Sequence, residues 1–205
     1  MRHKLVMVVL AVTIPAGVLV ATQTMASAGR SHGSTVNATG SVACTTAVGT
    51  IRLNPGWKTN SNTLPAPSKV IFNITFGNCA ATHPGNVTTR SFSGHLKGSV
   101  NFPSNDCTSN FGGAVALTGS PVPIAWSKAA RIGPVIPAPT NVALTTVTGS
   151  FTAGVGIKFV FTNRTITGSF STKTLSGELD SALDACSPNN GIHNIPVTSG
   201  KITQP

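Results

Sequence analysis

The chain has 205 residues, of which 40% are hydrophobic and only 9% are charged, and its formal net charge is +10. Charged residues normally make up about a quarter of a soluble domain. Only four carboxylates occur, which argues against calcium or magnesium sites and against most acid–base enzymes, while the apolar fraction is too high for a disordered chain. We therefore expect a folded protein with no metal and no cofactor. The carboxylates are Asp106, Glu178, Asp180 and Asp184.

The N-terminus has the layout of a secretory leader. A basic start at Arg2–Lys4 precedes the apolar run Leu5–Val20, and the small-x-small site Ala26–Ala28 follows. This order predicts cleavage after residue 28 and a mature chain from Gly29. The apolar run is shorter than the roughly 20 residues that span a bilayer, so no membrane span is expected after cleavage. The mature chain keeps twelve basic and four acidic residues, a net charge of +8.

After the leader, residues 29–39 are small and polar and predict a flexible lead-in, followed by one domain over 40–205. In this domain β-branched residues alternate with Ser, Thr and Gly. The clearest case is Val70–Phe76, which places Val70, Phe72, Ile74 and Phe76 on one face. Short alternating segments bounded by Pro and Gly predict an all-β fold, an antiparallel β-sandwich or a flattened barrel. The predicted strands are 42–53, 70–76, 91–100, 114–118, 122–127, 142–151, 155–162, 165–175 and 195–202.

One segment near the C-terminus departs from the two-residue period. Residues 180–187 predict a short helix that is capped by Asp180 or Ser181 and ends before Pro188, with Asp184 in its first turn. Three of the four acidic residues would then lie around one helix start, where capping explains them better than catalysis. The fourth, Asp106, adjoins Cys107 and is expected to serve a turn.

Four cysteines remain in the mature chain, at Cys44, Cys79, Cys107 and Cys186. An even number of cysteines in an exported chain predicts disulfides. The sequence has no close C-x₂-C pair, which argues against a zinc site. Spacing alone allows three pairings. We predict Cys44–Cys79, which would join the first two strands, and Cys107–Cys186, which would tie the helix to the middle of the chain.

No motif in the sequence links residues into a catalytic site. No G-x-S-x-G elbow joins a predicted strand to a predicted helix, since the match at Gly29–Gly33 falls in the lead-in. There is no glycine-rich phosphate loop, and the carboxylates are too few and too clustered for a glycosidase pair. A Ser/His hydrolase that uses His95 or His193 with a serine on a neighbouring strand is the alternative from a different class. The leading expectation is a non-catalytic module.

The basic residues are scattered through the mature chain, as in proteins attracted to anionic surface polymers or acidic glycans. Nucleic acid is not favoured, because aromatic residues do not interleave with the basic ones. Trp57, in a Pro-Gly-Trp-Lys segment, is a candidate exposed stacking platform, whereas Trp126 is expected in the core. The candidate polyanion contacts are Lys58, Lys69, Arg90, Lys97, Lys128, Arg131, Lys158, Arg164 and Lys173, to which Arg52 and Lys201 add positive charge.

The placed cysteines and strands resemble those of small secreted β-rich proteins of actinobacteria. The resemblance implies an exported, disulfide-containing β fold and supplies no catalytic residue to transfer. It covers most of the mature chain and departs from it at 131–139 and at Asp184. The matching stretches are Cys44–Ile51 with Asn54 and Pro55, Ile74–Cys79, Asn105–Cys107, Pro123–Trp126, Leu179–Cys186 and Val197–Ile202.

Together these observations predict a secreted or envelope-associated β module that binds an anionic cell-wall polymer, an acidic glycan or a protein partner. An oligomeric envelope pore is the remaining alternative. It is disfavoured because the strands are short and rich in Ser and Thr, and because the chain lacks the tyrosines of an aromatic girdle.

Overall fold

The computed structural model describes residues 37–59, 66–83, 86–87, 91–130, 136–152, 156–163, 166–170, 174–181 and 191–204. Thirteen strands in these residues form one antiparallel sheet, which confirms the predicted all-β class. Their bounds are β1 Ser41–Trp57, β2 Ser68–His83, β3 Asn86–Val87, β4 Phe92–Phe102, β5 Ala114–Ala116, β6 Val122–Trp126, β7 Thr140–Val142, β8 Thr146–Thr152, β9 Gly156–Asn163, β10 Ile166–Gly168, β11 Leu175–Ser181, β12 Ile192–Val197 and β13 Ser199–Gln204.

The sheet is curled into a half-barrel with two wings. The first wing runs in the order β10-β7-β6-β4-β2-β1 and the second continues as β13-β11-β9-β8-β5, while β12 pairs with β1 and β3 with β2. Apolar side chains from both wings meet inside, among them Phe72 and Phe76 of the first and Phe159 and Phe161 of the second. The interior void between them is about 30 Å³ and has only apolar neighbours, so it is a packing void rather than a ligand site.

Alternation along the strands produces the core. Val70, Phe72, Ile74 and Phe76 are all buried, as the two-residue period predicts, and the residues between them face outward. In β4 the same period buries Phe92, Leu96 and Val100 and exposes His95 and Lys97. The strand faces predicted for these two segments are therefore confirmed.

The chain enters the sheet at Ala38, which is buried. Its backbone N–H donates to Ser169 Oγ at 3.0 Å, and its carbonyl accepts from the N–H of Phe170 at 2.6 Å. The last residues of the predicted flexible lead-in are thus held against the sheet, whereas residues 29–36 lie outside the described part of the chain.

The described helix, α1 Cys107–Asn110, lies at the end of the sheet where β1 stops at Trp57; we call this the helix end. Asp106 caps it, because its carboxylate accepts hydrogen bonds from the N–H groups of Thr108 and Ser109 and from both hydroxyls. This cap satisfies amide groups that a helix start leaves unpaired. Asp106 therefore has a structural role, as expected, but it caps a helix rather than serving a turn.

The prediction of a helix over 180–187 is wrong for its first two residues. Asp180 and Ser181 are the last residues of strand β11, which pairs with β9 and β13, so neither caps a helix. Leu179 and Ser181 point inward with the strand period, and this tertiary pairing outweighs the local capping preference of Asp and Ser. Residues 182–188, including Asp184, lie outside the described residues.

Cys44 and Cys79 form a disulfide between β1 and β2, as predicted. The two residues lie directly opposite each other in the ladder and both are buried. Cys107 is also disulfide-bonded, and no described cysteine is free. Its predicted partner Cys186 lies outside the described residues. A disulfide of this kind fits an oxidising environment.

Substituting Asp106 with alanine is expected to lower the free energy of unfolding by about 1–2 kcal/mol at pH 7, the usual cost of a lost helix cap. Burial raises the pKa of Asp106, but the hydrogen bonds from Thr108 and Ser109 outweigh it and leave the pKa below its ordinary value. The stabilisation is therefore complete above the unfolded-state pKa and is lost as pH falls through the folded-state value.

Urea denaturation of the wild type, D106A and D106N at neutral and acidic pH checks this expectation. The difference between wild type and D106A should shrink once the pH falls below about 4. D106N is the control, since asparagine also caps helices but does not titrate. A pH-independent difference between wild type and D106A would contradict the role of the ionised cap.

Candidate functional site

The outward face of the first wing carries Arg52 on β1, Lys69 on β2 and Lys97 on β4, all exposed. Arg52 lies opposite Ile71, two residues from Lys69, and Lys97 lies opposite Asn73. With strands about 4.8 Å apart and a rise of about 3.4 Å per residue, the Cα atoms of Arg52 and Lys69 are about 8 Å apart and those of Arg52 and Lys97 about 12 Å apart. We call this surface the basic face.

Ile71 lies at the centre of the three cations, and neutral polar side chains lie beside them. Asn73 lies between Thr50 and Lys97 in the ladder, and its Oδ1 is 2.7 Å from His95 Nε2, which therefore donates to it. None of the three described carboxylates lies on this face, since Asp106 caps α1 and Glu178 and Asp180 belong to β11. The basic face thus carries positive charge that no described carboxylate compensates.

On the outward face of the second wing, by contrast, lysines are paired with carboxylates. Glu178 on β11 forms ion pairs with Lys158 and Lys201, and each Nζ is 3.1 Å from a Glu178 carboxylate oxygen. Hydrogen bonds from these two lysines lower the pKa of Glu178, and the bond to Glu178 raises the pKa of Lys158. Asp180 lies opposite Lys158 in the ladder and accepts a hydrogen bond from Ser199 Oγ at 2.9 Å. Two described lysines thus face two carboxylates, and the charge is balanced.

The other predicted polyanion contacts that the structure describes lie elsewhere on the protein. Lys58 follows β1, and its stem lies against Gly191, while Lys128 is in a short 3₁₀ turn. Lys158 is held by Glu178. Arg90, Arg131, Arg164 and Lys173 lie outside the described residues.

Trp57 is not an exposed stacking platform, and the prediction that it is one is wrong. Its side chain has 0% exposure, because β1 continues through Pro55 and Gly56 and places the ring in the core. There it contacts Phe102, Phe111 and Phe159 with ring centroids 4.9–6.1 Å apart. Trp126 is in the core as predicted, and its Nε1–H donates to Thr140 Oγ1.

Neither candidate histidine has the surroundings of a catalytic base. His95 is exposed and hydrogen-bonded to Asn73, and His193 is exposed on β12 with its ring against Gly56. Within the described residues neither ring is hydrogen-bonded to a serine hydroxyl or to a carboxylate. The described part of the chain also holds no group of three His, Cys, Asp or Glu side chains placed to bind a metal.

Sequence reasoning named Lys69 and Lys97 but not the arrangement that joins them to Arg52, Asn73 and His95. Alternation along each strand predicts that these side chains face outward, and this orientation is all that the sequence indicates about them. Their proximity depends on the register of three strands that are distant in the chain.

Comparison with protein-family models, with curated proteins and with solved structures found no match to this chain. In the described residues, no helix is long and apolar enough to cross a membrane.

Proposed function

We propose that this protein is an exported, non-catalytic β module that binds an anionic polymer of the cell surface through the basic face. The observation that carries the proposal is the charge difference between the wings. Arg52, Lys69 and Lys97 have no acidic partner among the described residues, whereas Lys158 and Lys201 share Glu178.

A sheet face is suited to a linear partner because its side chains stand in rows and its backbone is rigid. A polymer that crosses β1, β2 and β4 meets three positive charges, with Cα separations of about 8 Å for Arg52–Lys69, about 14 Å for Lys69–Lys97 and about 12 Å for Arg52–Lys97, estimated from the strand spacing. Asn73, Thr50 and His95 add hydrogen-bonding groups beside them. Each exposed contact is weak, so binding depends on several contacts made at once.

Export belongs to the same proposal. The predicted leader, the Cys44–Cys79 disulfide and the resemblance to small secreted β-rich proteins of actinobacteria all support it. An exported module with a net charge of +8 would meet the anionic polymers of a cell wall at close range.

Affinity for purified cell walls should fall steeply as salt is raised from low to physiological concentration, because exposed charges are screened over about 8 Å at physiological ionic strength. The protein is purified after export with its own leader. Replacing Lys69 and Lys97 with glutamine should weaken binding at low salt about five- to tenfold, since each exposed contact contributes at most about 1 kcal/mol. The salt dependence should become shallower in the same variant.

The matched control is K158Q/K201Q, which removes the same net charge from the compensated face. It should bind as tightly as the wild type, within about twofold. Equal loss in both double variants would show that net charge alone attracts the polymer and would contradict a defined basic face. Binding of the wild type that is insensitive to salt would also contradict the proposal.

A further inference from the structure

The register of β1, β2 and β4 places the cations of the basic face one to a level along β2. The outward residues of β2 are Lys69, Ile71, Asn73 and Thr75. Lys69 is itself the cation of the first level. Arg52 on β1 lies opposite the second of these residues, and Lys97 on β4 lies opposite the third. Because successive outward residues are two positions apart, each level lies about 7 Å further along the strands than the one before.

His95 occupies the fourth level of this series. It lies on β4 opposite Thr75 and two residues before Lys97, so the Cα atoms of His95 and Lys97 are about 7 Å apart. Its Nε2–H donates to Asn73 Oδ1 at 2.7 Å, since an amide oxygen can only accept. Both the neutral and the protonated ring can make this bond, and Nδ1 is the atom that gains or loses the proton. Protonation therefore adds a fourth cation without breaking the bond that orients the ring.

The charged side chains nearest to His95 among the described residues are cations. Lys97 is on the same strand, and Lys128 is in the 3₁₀ turn that follows β6 and contacts β4. Thr75 on β2 and Ala125 on β6 flank His95 in the ladder and carry no charge. The described carboxylates of the sheet are on β11, four strands away, which is about 19 Å along the sheet. No described acid is placed to neutralise a protonated His95, so its charge is available to an anionic partner.

We propose that His95 makes polymer binding by the basic face sensitive to pH, so that binding tightens in a mildly acidic medium. This inference rests on the proposed function and adds a binding residue and a means of regulation to it. Histidine is the side chain that changes its charge between about pH 8 and pH 5. A polymer that follows the four levels meets three cations above this range and four below it. Since one exposed charge contact changes affinity by at most about fivefold, the fourth cation should strengthen binding about three- to fivefold.

The test measures the affinity of the exported protein for dextran sulfate, whose sulfate groups stay ionised throughout, at about pH 8 and about pH 5 and at one ionic strength. The wild type should bind about three- to fivefold more tightly at the lower pH. In H95Q the ratio of the two affinities should fall below about twofold. The matched control is H193Q, which removes an exposed histidine of β12 that is outside the series. It should keep the ratio of the wild type.

A second variant tests the position by a gain of affinity, which misfolding cannot imitate. H95K places a permanent charge at the fourth level. At about pH 8 it should bind dextran sulfate as tightly as the wild type does at about pH 5, and its affinity should not change with pH. T148K is its control, because it adds the same charge at an exposed position of β8 on the second wing. It should gain less than about twofold at the higher pH.

The outcomes separate this inference from the proposed function. If H95Q keeps the ratio of the wild type, or if T148K gains as much affinity as H95K, His95 is not the group that responds to pH. If the wild type binds equally well at both pH values, the inference fails and the basic face stands. If the wild type binds at neither pH, the basic face fails as well.

Discussion

Replacing Trp57 with alanine is expected to lower the free energy of unfolding by about 3–5 kcal/mol, the range for removing a large aromatic side chain from a core. The side chain has 0% exposure and contacts three phenyl rings that come from β4, from the segment after α1 and from β9. Alanine would leave a cavity between both wings that these rings cannot refill. Since a domain of this size is stable by only about 5–15 kcal/mol, a shift of this size is readily measured by urea denaturation.

The control for this variant is Trp57→Phe. Trp57 Nε1 has no hydrogen-bond partner, so phenylalanine loses volume but no hydrogen bond, and its cost should be well below that of alanine. Unchanged stability of W57A would contradict the buried position and return Trp57 to an exposed loop. A cost for W57F as large as that for W57A would mean that the indole N–H, rather than ring packing, stabilises the core.

Trp57 also shows where sequence reasoning fails. Pro55 and Gly56 precede it, and such residues normally mark a turn. In the structure the β1–β12 register shifts between Arg52 and Trp57, and the strand continues past this irregularity to pair Trp57 with Ile192. Gly56 is required there because a Cβ would come within 2.8 Å of the backbone carbonyl oxygen of Ile192. These constraints come from β12, which lies far from Trp57 in the sequence, so no local pattern reveals them.

The well-predicted elements are those whose signal is local. In Val70–Phe76 each buried residue is specified by its own position in the two-residue period, and no distant strand is needed to interpret it. The Asp106 cap is equally local, but α1 has only four residues and shows no periodicity. At Asp180 the local capping signal is misleading because strand pairing on both sides outweighs it.

The basic face and the helix end combine local and non-local information in different proportions. Outward orientation of Lys69 and Lys97 follows from alternation, but their grouping with Arg52 depends on how β1, β2 and β4 align. The contact between Phe111 and Phe151 is further from prediction, because it depends on the docking of the short post-helix segment on β8, where the Gly112 N–H donates to the Gly149 carbonyl. Neither residue carries a pattern that distinguishes it from core aromatics.

Removing the Cys44–Cys79 disulfide by the double substitution C44A/C79A is expected to lower the free energy of unfolding by about 4 kcal/mol on the chain-entropy model. The two residues are 35 positions apart, so the cross-link closes a long loop in the unfolded chain. In the folded state they already lie opposite each other within a ladder that extends from Ser41 to Asn54. The cross-link therefore acts mainly by limiting the unfolded ensemble, and the native strands should keep their pairing without it.

That mechanism predicts a rise in the denaturant m-value as well as a loss of stability, because an unfolded chain without the cross-link exposes more surface. The matched control is Val42→Ala, a buried position two residues before Cys44 on the same strand, which removes apolar contacts but opens no loop. V42A should cost less than the double variant and leave the m-value unchanged. If C44A/C79A behaves like V42A in both respects, the stabilisation comes from packing of the two sulfur atoms and not from closure of the loop.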